Sequence, residues 1–123
     1  MRREAIWLAA LAALAASPPM KAAAEWVVAA EANGVKMSEF GVWVSKRAAD
    51  NCSIAMMRKY PDDMMRLLCS GDRVLVATVR AGTEVERIDP NDCGTMATIR
   101  ILSGKASGKI GCIYARALSK KKP

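Results

Sequence analysis

The sequence predicts a small, exported domain of the all-β class, with only short helical turns. Three observations predict it: an N-terminal stretch that reads as a secretory leader, four cysteines confined to the remainder, and a C-terminal half that alternates with period two between turn signals.

The leader comes first. Arg2 and Arg3 give it a positive start, and Ile6 to Ala16 carry no charge. That run is shorter than the roughly 20 apolar residues a bilayer span needs. Ser17, Pro18 and Pro19 break it, and Ala22-Ala23-Ala24 fits the small-x-small pattern of a cleavage site. Residues 1–24 are therefore expected to be a signal peptide and Glu25 the first residue of the processed chain. The first cysteine is Cys52, far from the expected cut, so neither a lipid anchor nor a membrane span is expected after processing.

Residues 25–123 number 99, enough for one domain. They hold 16 Lys and Arg against 11 Asp and Glu, a surplus of five positive charges. Such a surplus favours anionic surfaces without selecting one. Nucleic acid is not expected as a partner, because basic residues here lack the interleaved aromatics on which bases stack.

Cys52, Cys69, Cys93 and Cys112 read as two disulfides in an exported domain of this size. Each contributes on the order of 3 kcal/mol by restricting the unfolded chain. The chain has no Cys-x-x-Cys pair and no His, so no metal or cofactor site is expected. Four cysteines allow three pairings, and the sequence leaves all three open. The preferred one joins Cys52 to Cys69, which flank a single irregular segment, and leaves Cys93 with Cys112.

Strand signals dominate after residue 73. Val74 to Val79 is rich in β-branched residues, Arg80-Ala81-Gly82 is a turn, and Thr83 to Ile88 alternates with period two. Asp89 to Gly94 is crowded with turn formers. Thr95 to Leu102 reads as a strand with Ala97, Ile99 and Ile101 on one face. Ser103 to Gly108 is a hairpin loop, Lys109 to Tyr114 the returning strand, and Ala115 to Leu118 a short turn before the basic residues 119–123.

The N-terminal half signals less clearly. Phe40 to Ser45 reads as a strand, and residues 25–40 as a loose arm with a turn at Asn33-Gly34. Ser53 to Lys59 reads as one or two helical turns. Pro61-Asp62-Asp63 is a helix start, with proline in the first turn and acids at the positive end of the dipole. The helix is expected over Pro61 to Leu68, burying Met64, Leu67 and Leu68.

Residues 74–118 resemble a bacterial Src-homology-3-type barrel. The match rests on Ala81-Gly82-Thr83-Glu84-Val85, on Ile99-Arg100-Ile101-Leu102 before a Gly-rich hairpin, and on Gly111-Cys112-Ile113-Tyr114-Ala115-Arg116-Ala117-Leu118. The resemblance implies a five-stranded barrel over residues 41–118, opened by the Trp43 strand. Residues 46–73 then form an enlarged first loop carrying short helical turns. It also implies a binding module, which such barrels are for peptides and for cell-wall material. Cys112 occupies the place of the family's aromatic residue, and proline-rich peptides are not implied as ligands.

The hairpin creates a geometric condition for the second disulfide. Turning near Ala106, it sets Cys112 across from Arg100, roughly 20 Å from Cys93 at about 3.3 Å per residue. Either the sheet coils and brings the turn back, or Cys112 pairs with a loop cysteine.

Catalytic chemistry finds no support in the residue pattern. Without His, a Ser or Cys nucleophile lacks its usual base. Asp62-Asp63 is explained by a helix start, and Glu84 with Glu86 by the solvent face of a strand. Gly104 to Lys109 departs from a phosphate-binding loop at both ends of the motif. Met56-Met57 and Met64-Met65 carry thioethers that bind Cu(I), but core packing is the expected use for them.

What remains is a surface. Lys105, Lys109, Arg116, Lys120, Lys121 and Lys122 form a candidate anion or partner patch at one end of the barrel. The expected function is a non-catalytic binding or structural module, periplasmic or secreted, contacting an envelope protein or cell-wall material. The alternative is an inhibitor of a periplasmic hydrolase with loop 103–109 as its plug; a small enzyme is the weaker alternative.

Overall fold

The computed structural model describes residues 23–32 and 34–123. The expected leader, residues 1–24, lies outside them apart from Ala23 and Ala24, as does Asn33 of the expected turn. The described elements are β1 (Glu25–Val27), β2 (Ala30–Ala32), β3 (Val35–Met37), β4 (Glu39–Trp43), α1 (Lys46–Met57) and α2 (Asp62–Cys69). They continue with β5 (Leu75–Arg80), β6 (Glu84–Arg87), β7 (Ala97–Ile101), β8 (Ile110–Ile113), a 3₁₀ turn (Ala115–Ala117) and β9 (Leu118–Ser119). The domain is mainly β. Among the described residues no helix is long and apolar enough to cross a membrane.

Seven strands form one sheet in the order β5-β4-β8-β7-β6-β1-β9, and β2 pairs with β3 in a separate hairpin. The sheet has two ends, and no ladder joins β5 to β9 among the described residues, so it is not a closed barrel. It narrows between its second and third strands, where β4 meets β8 through the single ladder pair Trp43 with Cys112. A bulge between Val42 and Trp43 bends β4 at that point.

The core follows from strand alternation. Ala97, Ile99 and Ile101 of β7 are buried on one face, with Arg100 exposed on the other. They pack with Val27, Phe40, Val42, Val79, Val85, Ile113 and Ala117 into one apolar cluster. Thr98 departs from the alternation and is buried too, because the Cys93 loop covers its face.

Three expectations are corrected. Residues 25–40 are not a loose arm: β1 lies inside the sheet between β6 and β9, and β2 and β3 form a hairpin. β1 has only three residues, too few to show a period. Long-range bonds hold it instead: Val27 N–H donates to Thr83 O at 2.8 Å, and Arg87 Nε donates to the buried Glu25 carboxylate at 2.6 Å. The helical segment begins at Lys46, a full two turns before Ser53. Ser45 starts it, its hydroxyl accepting from Ala48 N–H at 3.1 Å, and Lys46 pairs with Asp50 one turn on.

The second helix forms where Pro61-Asp62-Asp63 predicts, but it does not bury the residues expected. Met64 is 47% and Leu67 73% exposed, and Leu68 is half-buried. Every residue of α2 is exposed or half-buried, because α2 packs on α1 outside the sheet and no third layer covers its outer face.

Both disulfides follow the preferred pairing, Cys52 to Cys69 and Cys93 to Cys112. They suit an oxidising, extracytoplasmic compartment. The second is reached because the register differs from the expected one: Cys112 stands opposite Thr98, and Arg100 opposite Ile110. The Asp89–Gly94 turn then folds back along β7. Asn91 organises it, donating from Nδ2 to Gly94 O and Met96 O at 3.0 Å and accepting from Cys93 N–H at 3.0 Å. Thr98 holds it down, its hydroxyl donating to Asn91 Oδ1 at 2.8 Å and lying 3.0 Å from Cys93 Sγ.

Gly111 shows how tightly the narrow point is built. A Cβ there would lie 2.7 Å from Trp43 O and 2.8 Å from Val42 Cγ1. Gly111→Ala should therefore destabilise the domain by about 1–3 kcal/mol through overpacking, read as a lower urea midpoint at unchanged slope. Removing the helical bridge should act locally. In Cys52→Ala/Cys69→Ala, amide exchange protection should collapse over α2 while β7 and β8 keep theirs; equal loss everywhere would refute a peripheral α2.

Candidate functional site

A concavity of about 610 Å³ lies between α1 and β4 and is lined from five parts of the chain. β4 supplies the floor. Gly41 and Trp43 are two residues apart and share one strand face, so the Trp43 ring folds back over Gly41. A Cβ on residue 41 would stand 2.9 Å from Trp43 Cε2, so glycine is what permits this pose. Phe40 and Tyr114 also contribute, their rings stacked at 6.4 Å between centroids.

The second wall is one face of α1. Ala49, Cys52, Ser53, Met56 and Met57 recur at helical spacing along it. Met37 reaches in from β3, and Thr95 with Met96 from the loop before β7. Lys46 and Asp50, the charged lining residues, neutralise one another at 2.6 Å. The result is an open, largely apolar groove with one compensated ion pair.

Core packing does not explain its methionines. Met56 is 60% exposed and Met57 72% exposed. Met37 is exposed as well, and Met96 is half-buried. The cause is the position of α1: its buried stripe is Ala48, Ala49, Cys52 and Ala55, residues too small to carry Met56 or Met57 inward. The Met56–Met57 pair was visible in the sequence, but the groove around it depends on which face of α1 meets β4.

The basic residues are divided rather than gathered. Lys105 lines a second, more polar cleft of about 450 Å³ with Thr78, Arg80, Thr83 and Ser103. Arg80 was assigned to a turn and missed as a site residue; it closes β5 and stands 3.8 Å from Glu39. Lys109 is exposed at the base of the β7–β8 hairpin, and Arg116 is exposed in the 3₁₀ turn. Lys120, Lys121 and Lys122 depart the other way. β9 pairs Leu118 with Val27 and Ser119 with Trp26, so the tail leaves past Glu25, while the hairpin sits at the Glu84 end.

The paired acids have structural partners. Asp62 and Asp63 occupy the first turn of α2, and Glu86 bonds to Arg100 across the β6–β7 ladder. Cys52, Cys69, Cys93 and Cys112 are all consumed in disulfides. The chain matches no protein-family model, no curated protein and no solved structure.

The dependence of the groove on Gly41 is open to measurement. With Trp26→Phe isolating the groove indole in the processed chain, Gly41→Ala should shift Trp43 emission and its quenching by iodide. The unfolding free energy should change by no more than about 1 kcal/mol, since the obstructing atoms belong to a partly exposed side chain. An unchanged spectrum would mean that Gly41 does not set the ring.

Proposed function

We propose that this protein is a non-catalytic exported binding module, contacting an envelope protein or cell-wall material in the periplasm. The groove between α1 and β4 is its binding face. The observation that carries this reading is the open, apolar, methionine- and aromatic-lined groove on a domain otherwise tied by two disulfides. Methionine side chains adapt to irregular apolar partners, and aromatic rings give contact area at low entropic cost.

A Src-homology-3-like arrangement belongs to the same proposal. Five contiguous strands, β8-β7-β6-β1-β9, carry the last three strands of the expected meander, the 3₁₀ turn and a short last strand, while β5 falls outside them. In this reading β1 opens the unit in place of the Trp43 strand. The chain from β2 to β5 is then the enlarged first loop, and the first and last strands lie side by side. Support is topological: β1 pairs with both β6 and β9.

A second reading, hydrolase inhibition, is favoured by the bracing of the exposed hairpin. Gly108 N–H donates to Ile101 O at 2.7 Å, Lys109 N–H to Ala106 O at 3.1 Å, and the Ser107 hydroxyl to Leu102 O at 3.2 Å. A loop held in one shape loses little entropy on entering a cleft.

The test is co-sedimentation with purified sacculi, alongside cross-linking in envelope fractions. Met56→Glu/Met57→Glu should cut retention about tenfold or more, since it places charge in an apolar contact. Lys105→Ala should leave retention unchanged. Equal retention by the glutamate variant overturns the groove as the binding face. A captured hydrolase that loses activity, with dependence on residues 103–109 and not on Met56 or Met57, supports inhibition instead.

A further inference from the structure

Residues 25–123 contain six methionines, and four of them, Met37, Met56, Met57 and Met96, line the one groove. They arrive from three separate places: β3, the last turn of α1 and the loop before β7. Met56 and Met57 are mostly exposed, so burial of apolar surface does not account for them. A thioether differs from other apolar groups in one chemical respect. Its sulfur is a neutral, soft donor that takes Cu(I) and Ag(I) and has little use for hard or borderline divalent ions.

The rest of the chain sharpens that selectivity. There is no histidine. All four cysteines are in disulfides, so no thiolate competes as a ligand. Among the described residues no group of three or more His, Cys, Asp or Glu is placed to hold a metal ion. The groove therefore offers thioethers together with the π-faces of Trp43 and Tyr114, which attract a cation. The Lys46–Asp50 pair adds no net charge to repel one. Met56 is also placed by its neighbours, with Sδ 3.8 Å from Cys52 Sγ on the disulfide-tied face of α1.

We propose that the groove between α1 and β4 is a thioether site for a soft monovalent metal ion, Cu(I), with Met37, Met56, Met57 and Met96 as its sulfur donors. The ion enters and leaves in the same oxidation state, so binding needs no electron donor or acceptor. The ion site shares this groove with the proposed partner face but needs no protein or cell-wall partner to form, and its test uses none.

The experiment is a calorimetric titration of the oxidised protein with Ag(I) in chloride-free buffer. Trp43 emission is followed in parallel in the Trp26→Phe processed chain, and Cu(I) is then measured anaerobically against a chromophoric chelator. One equivalent of Ag(I) should bind and alter Trp43 emission, while Zn(II) should not bind. Met56→Leu/Met57→Leu and Met37→Leu/Met96→Leu keep side-chain volume. Each pair should weaken Ag(I) and Cu(I) about tenfold or more by removing soft donors. Met64→Leu/Met65→Leu, outside the groove, should bind as the parent does. The proposal is overturned if the four-leucine variant retains parental affinity, if the Met64/Met65 variant loses as much as the groove variants, or if Zn(II) binds as tightly as Ag(I). Far-ultraviolet circular dichroism of each variant separates loss of the site from loss of the fold.

Discussion

Cys112 is where the parts of this domain are joined. It pairs with Thr98 across the β7–β8 ladder and with Trp43 in the single ladder pair between β8 and β4, and its sulfur bonds to Cys93. Thr98 in turn holds the Cys93 turn through Asn91 and the Asp92 amide. One residue thus ties two halves of the sheet and a folded-back turn. With 99 residues after the expected leader, the apolar core is small, and restricting the unfolded chain with a bridge of this span contributes about 3 kcal/mol. Glycine at 111 is part of the same junction, since only a residue without a side chain lets β8 lie this close to Trp43 O.

The groove lies beside that junction. β4 is paired along its length with β5 and meets β8 at one ladder pair, and α1, packed beside β4, turns only small residues inward. Alanines at 48, 49 and 55 allow the helix to approach closely, and the larger Met56 and Met57 then fall at the rim. The Cys52–Cys69 disulfide does similar work one layer further out, attaching α2 to α1 although no residue of α2 is fully buried. Burial therefore falls from the sheet outward, and the exposed Met56 and Met57 lie at the edge of the α1 layer. A metal ion seated there and a partner docked there make different demands on that surface. The ion needs sulfur donors from separate segments, whereas the partner needs continuous apolar area.

Much of the C-terminal half was readable from its residues, because strand period, turn formers and a Gly-rich hairpin all act over a few positions. The strands expected over Val74–Val79, Thr83–Ile88, Thr95–Leu102 and Lys109–Tyr114 form within one residue of those bounds, apart from β7, which starts two residues late at Ala97. The proline and acids at 61–63 mark a helix start for a local reason too. The misses share a cause. β1 is three residues long and owes its place to Thr83, Arg87 and Ala117, none of them near it in sequence. The hairpin register slipped by two residues because a Gly-rich loop permits several turns, and the buried cysteine bridge selects among them.

The order of residues was sufficient for a mainly β domain with paired thiols, since both depend on composition and short-range pattern. It was not sufficient for the faces. Which side of α1 meets β4, how far the Asp89–Gly94 turn folds back, and where six separated lysines and arginines come to lie are set by contacts between distant segments. Met56 and Met57 look the same in a core as on a rim when read along the chain. Packing alone separates the two, because a side chain's exposure is a property of its neighbours in space.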